Sequence, residues 1–396
     1  MNDIFKGMIT AQAKKLLAAY SGDEPFFFAT PQRTLLAQGH YANIPWAPDL
    51  KTMAIQVQAA LQEARSKGHP YPIAVGCIPF DLRQPMQLSI PHQVVLAGGL
   101  GTVTAPSKRA INQYELVAVP SRQDYAAAVA KAVARIQSGA LSKVVLSRTL
   151  EIQTQHSIDV PAVLSHLASK NQHGYTFAVK LYHEGGVLVG ATPELLVHKD
   201  GLQVRSNPLA GSAARSGNAQ EDAQRSAALQ QSAKDLHEHQ VVADAVAQAM
   251  QRYCKTLHAP QIPSVISTAT MWHLSSDIRG ELDSPDTHCL EVAGALHPTP
   301  AICGHPTVKA RELIRELEPF NRAYFTGMVG WCDEFGNGEW ALTLRCAEIK
   351  DKQVRLYAGA GIVGDSDPDS EAAETGAKFR TMLHALGLPA GEDSYV

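Results

Sequence analysis

The apolar positions of this 396-residue chain change their period several times, and each change predicts an element. From Pro25 to about Ala105 the pattern is mostly strand-like. "FFFATPQRTLLAQG" and "PIAVGCIPF" are short runs rich in aromatic and branched residues, bounded by turn formers. One helical stretch interrupts them near "IQVQAALQEARSKG". The turn-rich loop "TAPSKRAINQ" follows. Ser121, with Asp124 three residues on, then reads as a capping box opening the helix "DYAAAVAKAVARIQSG". The first twenty residues read as an amphipathic helix rather than a secretion signal, because they lack a continuous apolar stretch and a small-residue cleavage site.

Beyond residue 140, "KVVLSRTLEI", "TFAVKLY" and "GVLVGATPELLVHKDGLQVRSNPL" predict strands, the last bent at its "KDG" turn. Residues 218–252 carry one long helical pattern. The segment "AYFTGMVGWCDEFGNGEWALTLRCAEIKDKQVRLYAGAGIV" predicts three consecutive antiparallel strands, turning at "EFGNGE" and "KDKQ". A helix from about Asp367 closes the chain. Hairpins and long helices without strict strand–helix alternation favour an α+β layered fold over a doubly wound one. No period of 20 to 50 residues repeats, which removes solenoids and propellers.

Composition narrows the partners. The 35 basic and 38 acidic residues give a net charge of −3, which offers no footprint for nucleic acid or for an anionic membrane. The longest apolar runs fall short of the ~20 residues of a spanning helix. Six scattered cysteines without a CxxC pair read as buried free thiols of a reducing cytosol.

Four places put polar groups where a structural account is strained. Lys143 stands directly before three apolar strand formers. By itself it reads as an edge lysine with its ammonium in water; to act as a general base it would need desolvation or cationic neighbours. Glu194 of "GATPELLV" is either an exposed bulge residue or a carboxyl in apolar surroundings, which would raise its pKa and suit it to donate a proton. Glu238 of "KDLHEHQVV" shares an apolar helix face with Val241 and Val242, and Lys234 one turn earlier suggests a simple helix ion pair. His237 and His239 face different helix sides and no HExxH is present, so no zinc site is expected there. In "SEAAETGAK", Glu371, Glu374 and Lys378 form one helical stripe. The helix dipole alone explains acids at a helix start, yet with Glu238 they make an all-oxygen set of the kind Mg2+ prefers. Arg345, read as an inward residue of the strand "ALTLRCAEI" beside Thr343, needs a carboxylate partner. Gly359 and Gly361 of "AGAGIV" allow close backbone approach, and "PLAGSA" reads as a turn in which Gly211 and Ser212 offer donors or merely reverse the chain.

Together these segments, with "MWHLSS" and "LHPTPAICGHP", run in the order found in the chorismate-utilising enzymes, and the chain from about 121 to 388 resembles that family. "FFFATPQRTLLAQG" and "VGCIPFDLRQP" are similar to the N-terminal third of siderophore-type isochorismate synthases, which extends the likeness to nearly all of the chain. The resemblance implies a single large domain over residues 1–396, with an N-terminal strand-rich part (1–120) and a catalytic core (121–388). Its fold would be that of the anthranilate synthase component I type, α+β, with two packed antiparallel sheets and helices outside. It implies chorismate as substrate and Mg2+ held by Glu238 and Glu374, with Glu371 acting through water. Gly211 and Ser212 would contact the ring-carboxylate end, Arg345 and the backbone at Gly359 the enolpyruvyl carboxylate, and His273, Ala301 and Lys378 the remaining wall. Lys143 would act as base on water and Glu194 as acid at the departing hydroxyl. Ammonia-using relatives do not keep such a lysine, and aminodeoxychorismate synthases carry a lysine where Ala210 stands. The implied product is isochorismate for a catechol siderophore, made by a cytoplasmic monomer. No glutaminase subunit is expected, whereas functional coupling to an isochorismatase is. A salicylate synthase, a menaquinone-pathway synthase and a silent chorismate-binding scaffold are the competing expectations.

Overall fold

Phe26, Phe27 and Phe28 are all fully buried, which a sheet with one face in water would not allow. Phe26 and Phe28 join Val75, Phe177, Leu195, Val329 and Trp331 in one apolar layer, whereas Phe27 joins Leu16, Leu164 and Leu383 in another. The first layer lies between two antiparallel sheets; the second lies under helices. This computed structural model describes residues 12–106, 111, 113–182 and 185–389. Among them the layers run helix, sheet, sheet, helix.

One sheet carries, side by side, the strands 304–305, 143–154, 353–362, 346–350, 187–192, 175–180, 26–29, 33–38 and 93–98, and the strand Tyr114–Val119 also pairs with Lys143–Thr154. The other carries 254–258, 278–282, 203–207, 195–200, 338–342, 328–333, 73–78, 87–90 and 42–43. Helices Ala13–Ala19, Val160–Lys170 and Pro368–Leu386 cover the first sheet, and Leu50–Ser66, Ala233–Gln251 and Cys289–Leu296 cover the second. The α+β layered fold expected from the pattern is therefore present. A third, three-stranded sheet, 209–214, 271–275 and 264–267, was not expected.

Several expectations need correction. The segment from Ala323 to Val363 holds four strands rather than three, because "ALTLRCAEI" splits into Gly338–Leu342 of one sheet and Cys346–Lys350 of the other. The left-handed backbone of Arg345 (φ 47°) makes that crossing. The helical pattern at 218–252 is two helices, Ala219–Gln231 and Ala233–Gln251. Ser232 adopts extended backbone between them, and its side chain accepts the Asp235 N–H to cap the second. "PLAGSA" is a strand with a bulge at Gly211 (φ 72°), not a turn. Ser121 does cap its helix, accepting from the Asp124 N–H at 3.1 Å. Of the expected N-terminal helix, Ala13–Ala19 is seen and residues 1–11 lie outside the described residues, as do 107–110 and 112 of the turn-rich loop.

The chain passes between the sheets at two adjoining places. Pro193 ends the strand Val187–Thr192, and Glu194 leads into Leu195–Asp200 of the other sheet. Thr343 to Arg345 return the chain in the opposite direction. The Leu342 N–H donates to the Glu194 carbonyl at 3.1 Å and the Ala191 N–H to the Arg345 carbonyl at 3.1 Å, so the two crossings brace one another.

Candidate active site

Lys143 begins its strand with only 1% of its surface exposed, which rules out a lysine with its ammonium in water. Burying an ammonium costs several kcal/mol unless an anion meets it. Here Lys143 Nζ lies 2.8 Å from Glu238 Oε1, contributed by the long helix Ala233–Gln251. The pair fits because the neighbouring strand has Gly361 opposite Val145. A Cβ on Gly361 would stand 2.3 Å from Glu238 Oε1 and 3.0 Å from Lys143 Cε. Lys234, one turn from Glu238, does not pair with it as expected. It reaches across to Glu371 on the C-terminal helix at 2.7 Å.

Glu194 is 3% exposed, so it is no bulge residue in solvent. Burial pushes its carboxyl up to about 8, against the Leu209 N–H that donates to it at 3.3 Å and the cations Lys143, Arg345 and Lys378. At neutral pH it holds a proton. Arg345 is also buried, and burial lowers its guanidinium to about 10, opposed by Glu374 and Glu194. Its Nε has no hydrogen-bond partner among the described residues. The carboxylate that an inward arginine requires is thus left to a ligand. His273, paired opposite Ser212, is driven well below its ordinary pKa by burial and then by Arg345 and Lys378, so its ring is neutral. Its Nε2 is likewise buried without a partner.

The acids of the C-terminal helix complete the group. Ser212 Oγ donates to Glu374 Oε1 at 3.0 Å, and Lys378 Nζ lies 2.5 Å from the same oxygen while donating to the Gly359 carbonyl at 2.8 Å. Burial raises Glu374, but Lys378 and the bonds from Lys378 and Ser212 outweigh it and hold its carboxyl below the usual value. Glu371 goes the other way, up to about 7, through burial and then the charge of Glu374. It accepts from Lys234 Nζ and Ser366 Oγ, each at 2.7 Å. Carboxylates that repel one another and borrow lysines for neutralisation, beside a serine hydroxyl, are a donor set suited to a hard divalent cation. The soft donors His288, Cys289 and Cys332, whose ligand atoms all lie within 4.8 Å of one another, sit apart in the apolar layer of the second sheet.

One cavity gathers Glu194, Gly211, Ser212, Glu238, His273, Ala301, Arg345, Gly359, Glu374 and Lys378. Lys143 and Glu371 are not part of its wall; they stand behind Glu238 and Glu374 through the contacts above. Sequence reasoning missed Val145, Ile302, Phe325, Thr326 and Leu344 of the lining. Apolar lining residues carry no chemical signature. Thr326, at φ 57°, carries none either. Gly361 was visible in "AGAGIV", although its role in seating Lys143 was not. A larger groove of about 430 Å³ runs over Glu151, Glu348, Lys350 and Arg355, but Arg355 and Glu151 neutralise one another there at 2.7 Å.

Residues 100–387 match the family described as chorismate binding enzyme. Isochorismate synthase DhbC of Bacillus subtilis is 48% identical over 386 residues, covering 95% of this chain and 97% of that protein. Isochorismate synthase EntC of Escherichia coli K12 is 40% identical over 376 residues, covering 92% and 95%. The structure of DhbC from Bacillus anthracis, assigned as 2,3-dihydroxybenzoate-specific, is 47% identical with a TM-score of 0.91, covering 95% of this chain and 100% of that one. Anthranilate synthase component I of Streptococcus pneumoniae, at 19% identity and a TM-score of 0.69 over 89% and 92%, shares the fold.

Proposed function

The chain belongs to the family of chorismate-binding enzymes, and we infer from that premise that it is an isochorismate synthase of the catechol-siderophore type. The observation that supports the mechanism is the placement of two buried groups: Glu194 in the cavity wall, its carboxyl pushed up to about 8 by burial, and Lys143 behind Glu238 of that same wall at 2.8 Å. Lys143 enters the step as the free amine, and its Nζ takes a proton from water as the water oxygen bonds to C2 of the chorismate ring. The two ring double bonds shift, the bond from C4 to its hydroxyl breaks, and Glu194 gives that hydroxyl its proton. Water enters and water leaves, so the product is an isomer and no electrons are exchanged. General acid and base groups at these positions contribute about 10²–10⁴-fold each.

Arg345 orients the substrate by a paired bond to the enolpyruvyl carboxylate, for which its fork is shaped. His273 remains neutral and adds a donor or acceptor without a charge. Ser212 and the bulged backbone at Gly211 face the ring-carboxylate end. Glu238 and Glu374, with Glu371 through water, would hold Mg2+, which when bound supplies positive charge against the ring carboxylate. Lys378 keeps Glu374 in place and closes the wall beside Gly359. No helix among the described residues is long and apolar enough to cross a membrane, and the six cysteines are free and buried. We place the enzyme in the cytoplasm, working without an ammonia-supplying partner and ahead of an isochorismate-hydrolysing enzyme.

Purified protein given chorismate and Mg2+ is expected to form isochorismate, and excess chelator is expected to abolish that turnover. Salicylate with pyruvate in the absence of any added lyase, anthranilate in the presence of ammonia, or no turnover would each overturn the reading.

A further inference from the structure

Along most of its length the strand Lys143–Thr154 has a neighbour on both sides. Gln353–Ile362 pairs with it from Val144 to Gln153. On the opposite side, Gly304–His305 covers Lys143 and Val144, and Tyr114–Val119 covers Thr149 to Thr154. Among the described residues no strand pairs with 145–148 on that side, although these four are buried. Buried backbone groups must find partners, since an orphan costs as much as a lost hydrogen bond. The Val145 N–H donates to the Cys303 carbonyl at 2.9 Å. The next groups on that edge are met by side chains: Arg322 Nη2 donates to the Val145 carbonyl at 2.8 Å, and the Ser147 N–H donates to Glu318 Oε1 at 2.8 Å.

Glu318 and Arg322 are bound to each other twice, Nε to Oε2 at 2.8 Å and Nη2 to Oε1 at 2.5 Å, with both side chains 3% exposed. The same guanidinium donates through Nη1 to the Ile302 carbonyl at 2.8 Å and to Thr326 Oγ1 at 3.3 Å, and it lies 4.7 Å over the ring of Phe80. Val145, Ile302 and Thr326 all line the catalytic cavity. Lys143 is two residues before Val145, hence on the same face of the strand.

We propose that the Glu318–Arg322 pair is a surrogate strand: two positioning residues that complete the open edge of the lysine strand and thereby fix where Lys143 and the Ile302–Thr326 wall stand relative to the substrate. It acts through Val145, Ser147, Ile302 and Thr326 and touches no substrate. The proposal rests on the isochorismate synthase reading for its activity readout but not for its structural one. A flat ion pair would need only opposite charges; this one needs the planar five-donor fork, because Arg322 serves four residues at once.

The test compares Arg322→Lys and Glu318→Gln with Leu164→Ala, a core truncation on the far helix Val160–Lys170. Hydrogen–deuterium exchange of the segment 144–148 and steady-state kinetics on chorismate are read on the folded fraction at 25 °C. Arg322→Lys is expected to lose protection at 144–148, to lower kcat at least tenfold and to leave KM within threefold. Glu318→Gln, which keeps one acceptor for the Ser147 N–H, is expected to lower kcat three- to tenfold. Leu164→Ala is expected to lower Tm with kcat within twofold of the parent. Arg322→Lys with unchanged kcat, or a loss of activity matching only its unfolded fraction, overturns the proposal. Should Arg322→Lys fail to fold, Glu318→Gln with parental kcat and parental exchange overturns it equally. A parent protein inactive on chorismate would sink the functional reading instead, and the exchange of 144–148 in Glu318→Gln would still decide the surrogate strand.

Discussion

Two buried groups of charges flank the strand that starts at Lys143, and they are finished to different degrees. In the Glu318–Arg322 pair neither side chain leaves a buried atom without a partner. In the pocket, Arg345 Nε and His273 Nε2 have none among the described residues, and Glu194 keeps a proton it would lose in water. A buried unmet donor or acceptor costs roughly 1–3 kcal/mol. A protein that completes one set and leaves the other open has placed that cost where a ligand relieves it. The completed set is structure, and the open set is a binding site.

The comparison breaks most visibly at Lys143. Lys143→Ala removes the base and is expected to lower kcat by about 10²–10⁴-fold. Chorismate should still bind in the presence of Mg2+, as measured by calorimetry. Unchanged turnover would refute the base assignment.

Glu194→Gln comes next, at about 10²–10³-fold in kcat, because the amide cannot deliver a proton. Its pH behaviour sharpens the contrast. The parent is active while Glu194 is protonated, so forward kcat should fall as pH rises through about 8. For stability the sign is opposite to that of a salt-bridged acid. The folded carboxyl titrates near 8 and the unfolded one near 4.5, so the folded state binds the extra proton and stability drains away as pH rises between those values. Glu194→Gln should therefore raise Tm at pH 8, by a free energy of up to a few kcal/mol, and much less at pH 5. A residue of the completed set, such as Arg322, should lose stability when changed at either pH.

The smallest expected effect is at Arg345. Arg345→Lys keeps the charge and loses the fork, so KM for chorismate should rise about 10–30-fold, equivalent to about 1.5–2 kcal/mol, with a lesser change in kcat. A KM within twofold of the parent would mean that the unmet Nε is not the carboxylate's partner.

Much of this is legible in the sequence. The ordered motifs carried the family resemblance, and Lys143, Glu194, Glu238, Arg345 and Glu374 do come together, directly or through one contact. What stayed hidden has a common physical origin: periodicity reports neighbours on one element and says nothing of partners on another. Lys234 and Glu238 look like an i,i+4 pair, but Glu238 turns to Lys143 and Lys234 to Glu371. Glu318 and Arg322 carry the same spacing just past the end of the helix Thr307–Leu317, and nothing in their sequence neighbourhood shows that they are buried and serve a strand 171 and 177 positions away. Arg345 was read as mid-strand because its apolar neighbours on both sides continue the pattern, although they belong to different sheets. The three phenylalanines at 26–28 broke the two-residue alternation for a reason visible only in the fold, since apolar layers cover both faces of that strand.

The central claim is that the pocket delivers water to C2 while expelling the hydroxyl from C4. Running the reaction to low conversion in ¹⁸O-water and weighing the product tests it most directly. The account predicts isochorismate carrying one ¹⁸O at its C2 hydroxyl, with recovered chorismate labelled only as far as the reaction has reversed. Unlabelled isochorismate, meaning that the C4 hydroxyl had been passed to C2 within the molecule, would contradict it.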